Sequence, residues 1–305
     1  MVDKKAPIDP RAAGQILARS LNDRWRKYRR ELKRCQKKYS EDAVHDLRVA
    51  TRRLMSTLGL LAPLIADKRL KKSRRTLKKR LDMFDPLRDT QIQLLYVEKL
   101  LSTFPDLQAF YDTLAKQERQ RVKHIRKQVK RLRTARLEKS ATATGKQLRA
   151  RLQDPTKLDE TASAMMSAVD AAFAKVVNRR RQIKSDDTTT IHRTRVAFKK
   201  FRYMVEVLQP LLAEVTDERL KRMHDFQTMM GDIQDIEVLS ANLKAFVQKN
   251  APAAAKALLP TQRELARRRR ALIKTFMRSA DEPFTFWNQD HRAVKAKEIS
   301  KKVAG

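Results

Sequence analysis

The chain has a single cysteine, Cys35, and only five glycines among its 305 residues. One thiol excludes a disulfide framework and any CxxC metal clip, which fits a reducing compartment. Glycines at 14, 59, 145, 231 and 305, with ten prolines, leave little turn chemistry. That disfavours many short strands and favours long helices. Long apolar runs are missing as well. The longest stretch without a charge near it, Leu58 to Ala66, is too short to span a bilayer, and Met-Val-Asp-Lys-Lys leads into no apolar signal segment. The expectation is a cytoplasmic protein with no membrane insertion. Aromatic residues are scarce at 6% and fall mostly at core-like positions, so no base-stacking platform for nucleic acid is evident.

Positive charge is what the chain has in excess. Its 70 Lys and Arg against 35 Asp and Glu give a net charge of +35. A surplus this large repels itself in a compact fold and calls for an anionic partner or wide spacing. Nucleic acid, an anionic membrane surface, an acidic protein and a phosphate polymer all qualify. Hydrophobic residues at 41% are enough to fill a core, so the chain is not a disordered basic tail. It carries no P-loop, no HExxH and no clustered carboxylates to hold Mg²⁺. The expectation is therefore a binding protein, not an enzyme, with no cofactor and no metal.

The sequence also repeats itself. Residues 44–55 read VHDLRVATRRLM and residues 191–202 read IHRTRVAFKKFR, with His, Arg, Val and Ala identical at an offset of 147. The same offset pairs Pro63 with Pro210, and one residue less pairs Leu87-Arg88-Asp89 with Ile233-Gln234-Asp235. Collinear matches of this extent indicate a duplication with its seam near Asp154-Pro155. Residues 1–155 then form one helical bundle, and residues 156–305 form a second with a C-terminal tail. Helical patterning predicts an amphipathic stretch through Ile16–Leu32, then a helix from the Ser40 N-cap to about Pro63. Further helices follow at 68–84, 87–103 and 107–137. The second half predicts 159–184, 188–209, 213–230, 232–248 and 253–279. Short connections make neighbouring helices antiparallel. The fold class is all-α: two tandem antiparallel bundles about a pseudo-twofold axis. After Glu282, Phe284, Phe286 and Trp287 are expected to dock an irregular tail that then frays.

The repeated helices carry the functional signal. At about 100° per residue, His45, Arg48 and Arg52 fall on one side of their helix, beside the apolar arc of Val44, Leu47, Ala50, Leu54, Leu58 and Leu61. His192, Arg195, Lys199 and Arg202 repeat that stripe beside Ile191, Phe198, Phe201, Val205 and Leu208. A lone histidine near an apolar stripe is usually structural, and a cationic row is usually a solvated face. Here the same pattern recurs twice at the margin of a core, where like charges cost stability and a bound anion relieves the cost. Lys71, Arg74 and Lys78 on the next helix extend the patch, as do Lys221 and His224 in the second half. Asp89 and Asp235 read as structural, each starting a helix after a turn.

The duplicated His-x-x-Arg-Val-Ala motif, followed in each half by an Arg-Asp or Gln-Asp turn, resembles the CHAD family, the conserved histidine α-helical domain. The resemblance covers roughly residues 10 to 280. It implies two helical bundles around a basic central groove or pore that binds inorganic polyphosphate. Carried over to this chain, the ligand-facing set is His45, Arg48, Arg52, Arg53, His192, Arg195, Lys199, Lys200 and Arg202. One departure is the turn reading Gly231-Asp232 in the second half and Asp85-Pro86 in the first. Such domains often accompany a triphosphate-hydrolysing module with a Glu-x-Glu-x-Lys motif, which this sequence lacks. The resemblance thus implies binding without hydrolysis, with association to polyphosphate granules as a finer expectation. DNA or RNA is the alternative partner. It has less support, since zinc-finger spacing, an RRM signature and basic-zipper heptads are all missing. Phosphate favours imidazolium, so binding at His45 and His192 is expected to tighten as pH falls from about 8 to 6.

Overall fold

Acidic and hydroxyl caps fix where the helices begin. The computed structural model describes residues 9–130, 132–250 and 252–287, and these form ten α-helices without a β-strand. Asp9 accepts from the Arg11 amide at 2.9 Å and opens α1, Pro10–Lys37, with Pro10 at its first position. Ser40 accepts from the Ala43 amide and opens α2, Glu41–Leu61. Asp67 opens α3, Lys68–Met83; Asp154 opens α7, Pro155–Arg181; and Asp187 opens α8, Thr188–Leu208. Each such cap stabilises its helix by about 1 kcal/mol. The remaining helices are α4 (Asp85–Leu101), α5 (Gln108–Lys130), α6 (Ala135–Gln153), α9 (Asp217–Asn250) and α10 (Pro252–Arg278).

Two elements differ from the sequence expectation. The helix expected over 107–137 stops at Lys130, and a separate α6 follows it. The buried face of α6 is Leu137, Ser140, Thr144 and Leu148, half of it hydroxyl, so its apolar period is faint. Gly145 in the same segment deepens that impression of a loop. The second difference is α9, a continuous helix through Gly231 where a turn was expected. Among the described residues no glycine takes a positive φ, so Gly231 is there for space rather than for a bend.

The apolar faces form two cores. The larger lies among α1, α2, α3, α6, α7, α8 and the first half of α9, with Leu87 of α4, Ile125 and Val129 of α5, and Ile273 and Phe276 of α10 closing it. Its aromatic centre packs Phe198 against Phe226 with ring centroids 5.0 Å apart. The C-terminal aromatics complete it. Phe286 and Trp287 are buried, and the Trp287 indole donates to Asp170 Oδ1 at 2.8 Å, whereas Phe284 stays exposed. The fraying expected beyond them lies outside the described residues. The smaller core joins Val97 and Leu100 of α4, Phe110 and Leu114 of α5, Ile236, Leu239 and Leu243 of α9, and Leu258 and Leu265 of α10. Both cores draw on both halves of the chain. Across the larger one, α2 packs directly against α8 and α1 against α7 and α8. That contact between α2 and α8 positions the site.

Candidate anion-binding site

The basic stripes of α2 and α8 meet where the two helices pack. Arg48 is buried, donates from Nη1 to the Leu81 carbonyl at 3.0 Å and forms an ion pair with Asp85. One turn on, Arg52 has no hydrogen-bond or ion-pair partner among the described residues. Burial and the neighbouring Arg48 hold its guanidinium down at about 10. On α8, Arg195 buries its Nε without a hydrogen-bond partner, and its charge is disfavoured first by burial and then by Arg48. The carboxylates of Asp235 and Asp232 only partly offset that.

Lys199 is the most perturbed group. Burial together with Arg52, Arg195, Arg48 and Arg202 pushes its ammonium down to about 6. Around neutral pH it is therefore mostly uncharged until an anion arrives. Both histidines are lowered as well. His45 loses hydration and faces Arg88, while His192 loses hydration and faces Arg195, with its Nδ1 buried and unpartnered. Asp89, Asp232 and Asp235 shift the other way, raised chiefly by burial. Cations pushed toward neutrality with so few anions nearby mark a site short of negative charge.

The remaining expected residues fall into two groups. Arg53 and Arg202 share one carboxylate, Glu206, at 3.0 and 2.8 Å, and Arg202 also donates to Gln227 at 3.0 Å. Lys200 is itself exposed, though partial loss of hydration beside Arg74 and Lys175 lowers its ammonium, and Arg74 has a buried Nε without a partner. These two extend the central rows toward α3. By contrast, Lys71 is exposed, and Lys78 is exposed and paired to Asp82 at 2.8 Å. Lys221 and His224 are exposed on α9, and no side-chain hydrogen bond or ion pair ties them to the rows. Asp89 and Asp235 also need correction: Asp89 lies inside α4, which opens at Asp85, and Asp235 lies inside α9, which has no break at Gly231.

A model of the CHAD domain matches residues 15–244. The chain belongs to the CHAD family. Its fold is similar to the crystal structure of the CHAD domain from the plant Ricinus communis, with a TM-score of 0.61 and 18% identity over 86% of this chain and 91% of that one. It is also similar to PptA from Streptomyces chartreusis, with a TM-score of 0.53 and 17% identity over 92% of this chain and 100% of that one. No curated protein matches the sequence significantly. Among the described residues of this CHAD domain, no helix is long and apolar enough to cross a membrane. Nor is any group of three or more His, Cys, Asp or Glu placed to hold a metal ion.

Several residues beside the α2 and α8 rows were missed in the sequence. Arg24 of α1 is mostly buried near Glu206 and Arg53, with an unpartnered Nη1. Its signal was present: Leu17, Leu21, Arg24 and Tyr28 keep one helical register, so a cation interrupts the core stripe. Arg88 of α4 pairs with Glu41 beside His45. Gly231 makes room for Arg195, since a Cβ there would stand 3.1 Å from Arg195 Nη2. That role had no sequence signal, because it depends on which helix crosses α8.

Proposed function

We propose that the protein binds inorganic polyphosphate along the joined α2 and α8 rows, with Arg52, Arg195 and Lys199 at the centre and His45 and His192 at the margins. The observation that carries this reading is the set of three neighbouring, largely buried basic side chains, two guanidiniums and the Lys199 amine, with no ion-pair partner among the described residues. Burying such charges without counter-ions costs several kcal/mol, and the cost is recovered only when an anion enters. A chain of phosphates suits the row because it repeats a charge at every unit and offers forked acceptors to arginine. The family to which the chain belongs is linked to polyphosphate binding, which supports the same reading. Granule targeting follows naturally from such binding. The role proposed is binding without turnover.

The test is competition at matched charge. Long-chain polyphosphate is expected to displace duplex DNA from the protein. Its affinity should fall with salt along a straight log–log line, with a slope that grows with the number of phosphates neutralised. Displacement in the opposite direction, DNA removing polyphosphate, would sink the reading. Steady release of orthophosphate with Mg²⁺ or Mn²⁺ would overturn the non-enzymatic role.

A further inference from the structure

Next to the central rows, three arginines from three helices converge on one carboxylate. Glu206 of α8 is almost fully buried and accepts from Arg53 Nε at 3.0 Å, while its other oxygen pairs with Arg202 Nη1 at 2.8 Å. Arg24 of α1 completes the group. Its Nη1 is buried without a hydrogen bond, and its charge is shaped by burial first and then by Glu206 and Arg53. Three guanidiniums against one carboxylate leave two positive charges uncompensated.

The three arginines are not held alike. Arg202 is fixed, with its side chain only 9% exposed, its Nε on Gln227, and its Cζ 4.8 Å from the Tyr203 ring centroid. Arg53 is loose. Its side chain is 42% exposed, its second contact with Glu206 is long at 3.5 Å, and its Cζ is 5.8 Å from the same ring. Arg52 is the next residue along α2, and Tyr203 is a common neighbour of Arg24, Arg52 and Arg195. The cluster is therefore continuous with the central rows.

We propose that Arg24 and Arg53 form a second phosphate subsite at the end of the rows, closed in the free protein by Glu206. A phosphate unit of the bound polymer accepts from Arg24 Nη1 and draws Arg53 away from Glu206, which stays on Arg202. Glu206 acts here as an internal competitor, a carboxylate that holds Arg53 until a phosphate draws it away. This rests on the reading of the α2 and α8 rows as a polyphosphate site, and it adds α1 to that site.

The experiment titrates long-chain inorganic polyphosphate into the full chain and follows thermal unfolding in phosphate-free buffer. Arg24→Gln is expected to weaken binding about tenfold, as loss of a charge-assisted hydrogen bond does. The same variant should leave the free protein's melting temperature unchanged or raised, since it removes a buried charge that lacks a full partner. Glu206→Gln is expected to tighten binding about threefold or more, because opening the subsite no longer costs an ion pair. A melting temperature that drops in Arg24→Gln while affinity holds would make Arg24 structural and overturn the subsite. Folded Glu206→Gln that binds no tighter overturns it too, and if that variant does not fold, Arg24→Gln decides alone. Failure of the unaltered protein to bind polyphosphate overturns the row reading and the subsite together. Normal binding with an indifferent Arg24→Gln overturns only the subsite.

Discussion

The two copies of the His-x-x-Arg motif sit in different states. On α2, Arg48 is satisfied: it has the Leu81 carbonyl and the Asp85 carboxylate. Both partners exist because the chain breaks at Phe84, between α3 and α4. The break leaves Leu81 near a helix end, where its carbonyl accepts from the Phe84 amide and from Arg48 as well, and places Asp85 at the start of α4. On α8, Arg195 instead meets the continuous α9 and lies against Gly231 with its Nε unpartnered. An intact helix has no spare carbonyl to offer. One motif, set against a broken helix or a whole one, thus gives a structural arginine in one half and an available one in the other.

The largest effect is expected from the available arginine. Arg195→Gln should weaken polyphosphate binding by about tenfold or more, whereas Arg48→Gln should weaken it by about threefold at most. Stability should reverse the order. Arg48→Gln removes the ion pair to Asp85 and the buried donor to the Leu81 carbonyl and lowers the melting temperature, while Arg195→Gln leaves it level or higher. Titration and thermal unfolding of both variants check this, and equal losses of affinity would erase the distinction between the halves.

A smaller effect concerns protons. In the free protein Lys199 releases its proton at about 6, far below its ordinary value, and bound phosphate raises that value again. Affinity should therefore increase as pH falls from the bound-state value toward about 6, and flatten below it. Net proton uptake on binding should appear in calorimetry run in buffers of differing ionisation enthalpy, and Lys199→Gln should remove most of it. His45 and His192 add to the uptake, but in a window below the ordinary histidine range, since both are lowered in the free protein. The free protein should show the opposite sign in stability. Unfolded chain holds this lysine's proton up to about 10.4, so stability rises with pH between about 6 and that point.

The smallest effect is expected outside the rows. Replacing Lys71 and Lys78 by Gln should change affinity by less than about twofold at physiological salt, because exposed charges are well screened there. A large loss in that double variant would show that the ligand leaves the α2 and α8 rows and tracks along α3.

Much of the fold was legible in particular residues. Ser40, Pro63 and the apolar arc of α2 predicted that helix nearly to its ends, and α8 followed from its likeness to α2. The α6 helix was not legible because Ser140 and Thr144 fill core positions that hydrophobic periodicity does not register. Gly231 misled for a related reason. A glycine read along the chain suggests a turn, yet its missing side chain serves Arg195 on another helix. Among the candidate residues, Arg48, Arg52, Arg195 and Lys199 were singled out from their spacing, while Arg24 lay unnoticed inside an apolar stripe.

The sequence by itself determined the charge surplus, the helical class and the two cationic rows at the edge of a core. Spacing along one helix decides those, and spacing is written in the chain. Which cations have partners was decided only by the tertiary structure. Arg48 finds Asp85, Arg53 and Arg202 divide Glu206 between them, and Arg52, Arg195 and Lys199 are left facing one another. A charge is compensated or left bare by what stands a few ångströms away on another helix, and no single segment encodes that distance.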